Sequence, residues 1–234
     1  MKVDRFLEMY RELEELLALQ YSDNRRYTSA IMEYINDRSN PFYREELNTC
    51  REIRNLLTHH ADIGGKPIVE PSDDVIELLE RILNYVSHPP LVMECATLFD
   101  KVMTTTLDAR AFSLMHKMKG RGFSHVPIMD NGRFYGVFSI SLPFAYALEY
   151  ERGVTRDFTV ADFGDLIKID NHCTERFLFV PKSMTIRKAG REFEAVGSDK
   201  KRLAMMLITE NGKPNEKILG VLTPFDVLHL NERE

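Results

Sequence analysis

The chain has few cysteines and no arrangement of them that a framework would need. Its 234 residues include three, Cys50, Cys95 and Cys173. An odd number without paired spacing argues against a disulfide scaffold and against a zinc knuckle, and it points to a reducing cytoplasm. Long apolar runs are missing too: none approaches the roughly 18 residues that a bilayer span needs. The start, MKVDRFLEMYRELEELL, is charged throughout rather than signal-like. The expectation is a cytoplasmic protein with no membrane partner. Nor is there an excess of positive charge. Residues 1–95 carry 11 Lys and Arg against 18 Asp and Glu, a net of −7, and the remainder nets +2 within an overall −5. An acidic first half suits a nucleic-acid backbone poorly, whereas the second half can hold one small anion without a basic face.

What is present, 44% hydrophobic and 29% charged residues, is the balance of a globular chain with room for one large core or two modest ones. The first part reads as four helices. Phe6, Met9, Tyr10, Leu13, Leu16 and Leu17 mark one apolar face at three-four spacing. Tyr27, Ile31, Tyr34 and Ile35 mark a second helix, predicted over Arg25 to Asp37. A third is predicted to open near Asn40-Pro41, with Asn as cap and Pro in the first turn, and to run to about His59. The loop ADIGGKPIVEP stops any helix. A fourth begins at Ser72, with Asp73 and Asp74 at its positive end, and carries Val75, Leu79, Ile82, Leu83 and Val86. Short links between four helices imply an up-and-down bundle.

From Leu91 the rhythm changes. A helix over Leu107 to Lys119 precedes a strand, His125 to Met129, then Asp130-Asn131-Gly132-Arg133 and a strand from Phe134 to Phe138. Asn-Gly is a strong hairpin signal. Another helix follows from Ser141 or Leu142. The order then repeats: a strand at Phe177 to Val180, a helix at Thr185 to Ala195, and a hairpin of Leu203 to Thr209 and Lys217 to Leu222 around Asn211-Gly212. A last helix starts at Thr223. Two passes through one pattern are an internal duplication.

The duplicated half resembles a CBS-domain pair, the module named after cystathionine β-synthase, over roughly Ala96 to Leu230. The resemblance rests on DKVMTTTLDARAFSLMHKM and HVPIMDNGRFYGVFS in the first copy and MLITENGKPNEKILGVLTPFDVL in the second. The family's most specific element is Gly, two or three apolar residues, Ser or Thr, two variable residues, then Asp. Gly220, Thr223 and Asp226 supply it in full; in the first copy Ser139 is present, but Leu142 stands at the Asp position. Pro127 occupies the family's Pro position in copy one, where copy two has Leu207. The resemblance implies an α+β chain: a helical domain over residues 1–92, then a tandem pair of β-α-β-β-α units over 93–155 and 156–234. The two units would pack sheet to sheet, with two clefts between them.

Thr223-Pro224-Phe225-Asp226 has a structural reading as a capping box, Asp226 reaching back to the N-cap amide. The functional reading uses the same geometry: a carboxylate beside a strand end accepts hydrogen bonds from both hydroxyls of a ribose, as in dinucleotide sites, while Thr223 donates to a phosphate or sugar oxygen. The resemblance implies an adenine nucleotide (AMP, ADP or ATP) or S-adenosylmethionine as ligand, with no metal. Leu142 leaves the Ser139 cleft without a ribose acceptor, so one competent site per chain is expected. Lys201 and Arg202, within Asp199-Lys200-Lys201-Arg202, are candidate phosphate-binding charges. Met103 and Thr104 to Thr106 either line a cleft or form a strand edge.

In the helical half, IRNLLTHH (Ile53 to His60) resembles the HEPN pattern, with Arg54, Asn55 and His59 in the matching places. In that family such residues often pair across a dimer as a metal-independent ribonuclease. An imidazole can move the proton of a ribose 2′-hydroxyl, and a guanidinium can stabilise the added phosphate charge. Against this, Arg54 lies amid the stripe Tyr43, Leu47, Cys50 and Leu57, where an ion pair with Glu14 or Glu15 also suits it. His59 stands about 140° round an ideal helix from Arg54, so the two converge only if the helix unwinds near Thr58.

The sequence thus favours a regulatory, ligand-sensing protein with a helical domain for dimerisation or output, expected as a homodimer. An endoribonuclease acting on RNA, and a structural adaptor without ligand, remain the alternatives.

Overall fold

The computed structural model describes residues 2–21, 29–37, 40, 42–59, 69–195 and 200–228. By its internal contacts it divides into two compact units. One takes in the described residues up to Pro90 together with Thr185–Gly190 and Leu228; the other comprises Leu91–Met184 and Arg191–Val227.

Four helices make up most of the first unit: α1 (Lys2–Gln20), α2 (Ala30–Asn36), α3 (Arg44–His59) and α4 (Asp73–Ser87). Helical spacing puts Phe6, Tyr10, Leu13 and Leu17 on the inner face of α1, and Ile76, Leu79, Ile82 and Val86 on that of α4. All of these but Ile76 join Ile31, Tyr34, Leu47 and Cys50 in a shared core. Ser72 caps α4, its hydroxyl accepting the amide of Val75 at 3.4 Å, and Ser29 caps α2 in the same way through Met32.

Two predicted boundaries move. α2 begins at Ala30, and Arg25 lies outside the described residues. The third helix opens at Arg44 rather than at Asn40-Pro41. Asn40 is buried instead, its amide donating to the Tyr21 hydroxyl and the Tyr34 carbonyl, both at 3.0 Å. The intervening Tyr43 has φ +60, outside the helical region, so regular α3 cannot start before it.

The second unit begins with α5 (Val92–Cys95) and β1 (Thr97–Leu98). It continues through α6 (Ala111–Arg121), β2 (His125–Asp130), β3 (Arg133–Ser139) and α7 (Leu142–Tyr150). β4 (Glu175–Pro181), α8 (Ile186–Glu194, whose start belongs to the first unit), β5 (Arg202–Thr209), β6 (Gly220–Leu222) and α9 (Pro224–Leu228) complete the order. The chain is a mixed α+β protein. The hairpin of β2 and β3 turns on Asn131 (φ +46) and Gly132 (φ +75), the paired positive φ of a type I′ turn. Helix α6 starts later than the predicted Leu107: the segment before it turns on a Thr106–Asp108 hydrogen bond of 2.5 Å and a bridge from Arg110 to Thr159. Gly122, at φ +71, ends the helix.

The duplication is visible in the pairing. β4 runs parallel to β5, and β5 antiparallel to β6; in the first copy Thr105 makes a single parallel bridge to Ile128 of β2, and β2 runs antiparallel to β3. β1 crosses over to pair with β6, giving a four-stranded sheet in the order β1-β6-β5-β4. Val137 of the two-stranded sheet packs with Phe177, Met205, Leu207 and Val221 of the larger one and with Ile218 just before β6. The stretch from Val160 to Ile167, for which the sequence predicts no element, forms 3-10 turns that bury Val160, Phe163, Leu166 and Ile167 against α6, α7 and β3.

Candidate functional site

The corner between β6 and α9 is built by four residues. β6 ends at Leu222, and Thr223 leaves the strand with its carbonyl accepting the Asp226 amide at 3.1 Å. The Asp226 carboxylate turns back: Oδ2 accepts the Thr223 amide at 2.8 Å and the Thr223 hydroxyl at 2.7 Å. This is the capping box read from the sequence. It commits one carboxylate oxygen. Oδ1 takes no hydrogen bond among the described residues, and the side chain is half-buried rather than sealed.

The strand register places the neighbouring charge. β6 is antiparallel to β5 with Met206 opposite Leu222, so the start of β5 and the end of β6 lie at one end of the sheet. Lys201 and Arg202 are at that end. The Lys201 ammonium donates to the Asp170 carbonyl at 3.2 Å, and Arg202, exposed at the first position of β5, holds its backbone amide on the Thr174 carbonyl. Asp199 lies outside the described residues.

In the first copy the corresponding corner is arranged differently. Leu142, where the pattern calls for Asp, is buried in the core around α6 and α7. Ser139, fully buried, donates its hydroxyl to Glu175 Oε2 at 2.6 Å, and Ser141 donates to the same oxygen at 3.3 Å. The Ser141 amide closes on Ser139 Oγ at 3.3 Å. His125 Nε2 holds the other oxygen, Oε1, at 3.0 Å. His172 Nδ1 stands 3.7 Å from Oε2, with its side chain 1% exposed and neither ring nitrogen hydrogen-bonded among the described residues. Phe177 packs edge-on to both imidazoles. Burial alone raises a carboxyl's pKa. The hydrogen bond from His125, the His172 imidazole and the Ser139 hydroxyl outweigh it and hold Glu175 well below the usual carboxylate range.

The sequence reading singles out Ser139 but neither Glu175 nor the two histidines. A signal existed: a buried Ser whose expected carboxylate is replaced by Leu142 needs another acceptor, and His172 and Glu175 sit three residues apart where β4 begins. Thr105 is in strand-like pairing, its amide on the Pro127 carbonyl at 3.0 Å and its carbonyl accepting Met129 at 2.8 Å. That places Thr105 at a strand edge.

In the helical unit, Arg54 lies 4.0 Å from Glu14 Oε2 and donates to Asn55 Oδ1 at 3.4 Å, with its guanidinium 5.8 Å from the centroid of Tyr10. α3 continues to His59 without unwinding, and Thr58 bonds back to the Arg54 carbonyl at 2.9 Å as helical residues do. The helix therefore carries Arg54 and His59 at different angular positions. Among the described residues, no group of three or more His, Cys, Asp or Glu side chains is arranged to hold a metal ion, and no helix is long and apolar enough to cross a membrane.

No curated protein matches this sequence. Solved structures of similar fold include CBSX2 in complex with AMP, 15% identical, covering 62% of this chain and 97% of that one, with a TM-score of 0.43. CbpB in complex with c-di-AMP is 12% identical over 65% of this chain and 90% of its own, with a TM-score of 0.45. The CBS domain pair of protein MJ0100, in complex with 5′-methylthioadenosine and S-adenosyl-L-methionine, is 15% identical over 62% and 97%, with a TM-score of 0.41. Within the duplicated half, the stretch that runs from β1 through the Ser139 corner, residues 98–141, matches the family of the CBS domain.

Proposed function

We propose that this chain is a ligand-sensing regulatory protein whose second copy binds an adenine nucleotide or adenosyl ligand at Thr223 and Asp226. The observation that carries the reading is the division of labour within one carboxylate. Asp226 caps α9 with Oδ2 alone, which leaves Oδ1 for a ribose hydroxyl. The structural and the binding roles of the carboxylate are therefore compatible, whereas the Thr223 hydroxyl, whose proton goes to Asp226 Oδ2, offers a ligand its oxygen as an acceptor instead of the expected donor. Lys201 and Arg202, at the same end of the sheet, supply positive charge for a phosphate group. The four N-terminal helices, HEPN-like in their Arg54, Asn55 and His59, serve association or output, and the assembly is a cytoplasmic homodimer, a symmetry that suits paired modules.

The test is a thermal-shift series with AMP, ADP, ATP, S-adenosylmethionine and cyclic dinucleotides. At least one raises the Tm of the wild-type protein, and Asp226→Ala loses that rise while unfolding as cooperatively as before. The variant's own baseline falls by about 1 kcal/mol for the lost cap. A wild-type Tm indifferent to every ligand in the series defeats the reading.

A further inference from the structure

Glu175 is not part of the pattern that marks the two copies, yet it holds the residue that does. It comes from the first position of β4, while Ser139 and Ser141 come from the end of β3 and the turn after it. We propose that Glu175 is a resident anion: its carboxylate permanently occupies the strand-to-helix corner of the first copy, fastening that corner to β4 and excluding an external anionic ligand from it.

Three observations carry this. First, both oxygens are engaged, Oε1 by His125 and Oε2 by the hydroxyls of Ser139 and Ser141, in contrast to Asp226, of which one oxygen is taken. Second, the corner is closed. Ser139 is fully buried, and the side chains of His125 and Glu175 are 15% and 16% exposed. Third, the groups around the carboxylate are all ones that suit an anion. Two hydroxyls and an imidazole N–H point at it, and a buried imidazole without a hydrogen bond among the described residues lies 3.7 Å away. Remove the carboxylate and the His125 N–H and the Ser139 hydroxyl lose their acceptor, the two serine hydroxyls, 2.9 Å apart, being left to pair with each other, which costs stability. Leu142 explains why the carboxylate comes from elsewhere: the position three residues after Ser139 contributes to the core, so the hydroxyl takes its acceptor from another strand.

The consequence for ligand count rests on the function proposed above: one ligand per chain, at the Thr223 corner. The occupancy itself can be tested without any nucleotide. Glu175→Ala deletes the CH2–COO− group, whose shape acetate reproduces. The expected result is a Tm lower by about 3–8 °C, partly restored by acetate at matched ionic strength and not by chloride. Wild type, and Glu175→Ala combined with Ser139→Ala, show no such restoration. Glu175→Gln, which fills the space without the charge, also loses stability and does not respond to acetate. An unchanged Tm in Glu175→Ala, or an acetate effect equal in wild type and variant, overturns the proposal. Should Glu175→Ala not fold, Glu175→Gln and Ser139→Ala in a double-mutant cycle decide it: losses that fail to add support the contact, and additive losses overturn it. Isothermal titration supplies the ligand arm. One nucleotide per wild-type chain agrees, and two per chain overturn the exclusion. No binding at all defeats the sensor reading and leaves the acetate arm to decide this one.

Discussion

Gly136, midway along β3, lies directly against the backbone carbonyl of Ile167, so that a methyl group on it would fall far inside any permitted contact with that oxygen. Its counterpart in the second copy, Gly220, is pressed in the same manner, with a Cβ falling 2.9 Å from the Thr97 carbonyl oxygen. The glycine of the repeated pattern is thus a close-approach residue in both copies. It lets a chain segment from outside the hairpin lie across the strand that leads to the Ser or Thr corner. Gly136→Ala is expected to cost about 1–3 kcal/mol or more through forced displacement of backbone, seen as a Tm loss of several degrees. Gly220→Ala, with more room, loses less. Equal and negligible losses in differential scanning calorimetry would contradict the packing.

Glu175 gives the second prediction a sign. Its folded-state pKa is lowered, so its contribution to stability is present above the ordinary value of 4.5 and disappears as pH falls below it. Wild type is therefore expected to lose more stability between pH 5 and pH 3 than Glu175→Gln does, the two denaturation curves converging in acid. Glu216 offers a comparison in the open. The side chain and backbone amide of Asn211 push its carboxyl down to about 2. Being at the surface and screened by solvent, it contributes little, and Glu216→Gln leaves the acid limb nearly unchanged. Parallel curves for wild type and Glu175→Gln would sink the assignment.

Much of this arrangement was legible in the residues. Asn131-Gly132 placed the β2–β3 hairpin, helical spacing placed most of the inner faces of α1 and α4, and Ser72 marked the start of α4. The capping geometry of Thr223 and Asp226 followed from spacing alone, because an i to i+3 contact is local. Glu175 was hidden for the opposite reason. Its partners Ser139 and His125 are 36 and 50 residues away, and no periodicity encodes a contact at that separation. Asn40 misled because the same side chain that suits a helix cap also satisfies a buried hydroxyl and carbonyl. β1 was missed since two residues are too few to show alternation, and its partner β6 belongs to the other copy.

Arg54 supplies the third prediction. Its guanidinium is about one-third exposed, near Glu14 and over Tyr10. Arg54→Ala is expected to cost about 0.5–1.5 kcal/mol, from a partly screened ion pair and a cation–π contact. Arg54→Lys recovers only part, since an ammonium lacks the planar face that stacks on the ring. Urea denaturation midpoints read the series, and a neutral Arg54→Ala would show that the contacts contribute nothing to the fold.

Two tyrosines of the helical unit, Tyr34 buried and Tyr85 partly buried, should answer the same substitution with opposite sign. Tyr34 donates its hydroxyl to the Phe42 carbonyl at 3.1 Å. The hydroxyl of Tyr85 is buried without a partner among the described residues, while its ring packs edge-on to Phe42 and Tyr43 with centroids 5.4 and 5.5 Å away. Removing an oxygen that makes a hydrogen bond leaves the carbonyl unsatisfied and costs about 1 kcal/mol. Removing one that makes none relieves a desolvation penalty and keeps the ring contacts. Tyr34→Phe is therefore expected to lower the urea midpoint, and Tyr85→Phe to hold or raise it by up to about 1 kcal/mol. A matching loss in both variants would mean that the Tyr85 hydroxyl is bonded in solution, to water or to a side chain, and that the helical core is wetter than its packing indicates.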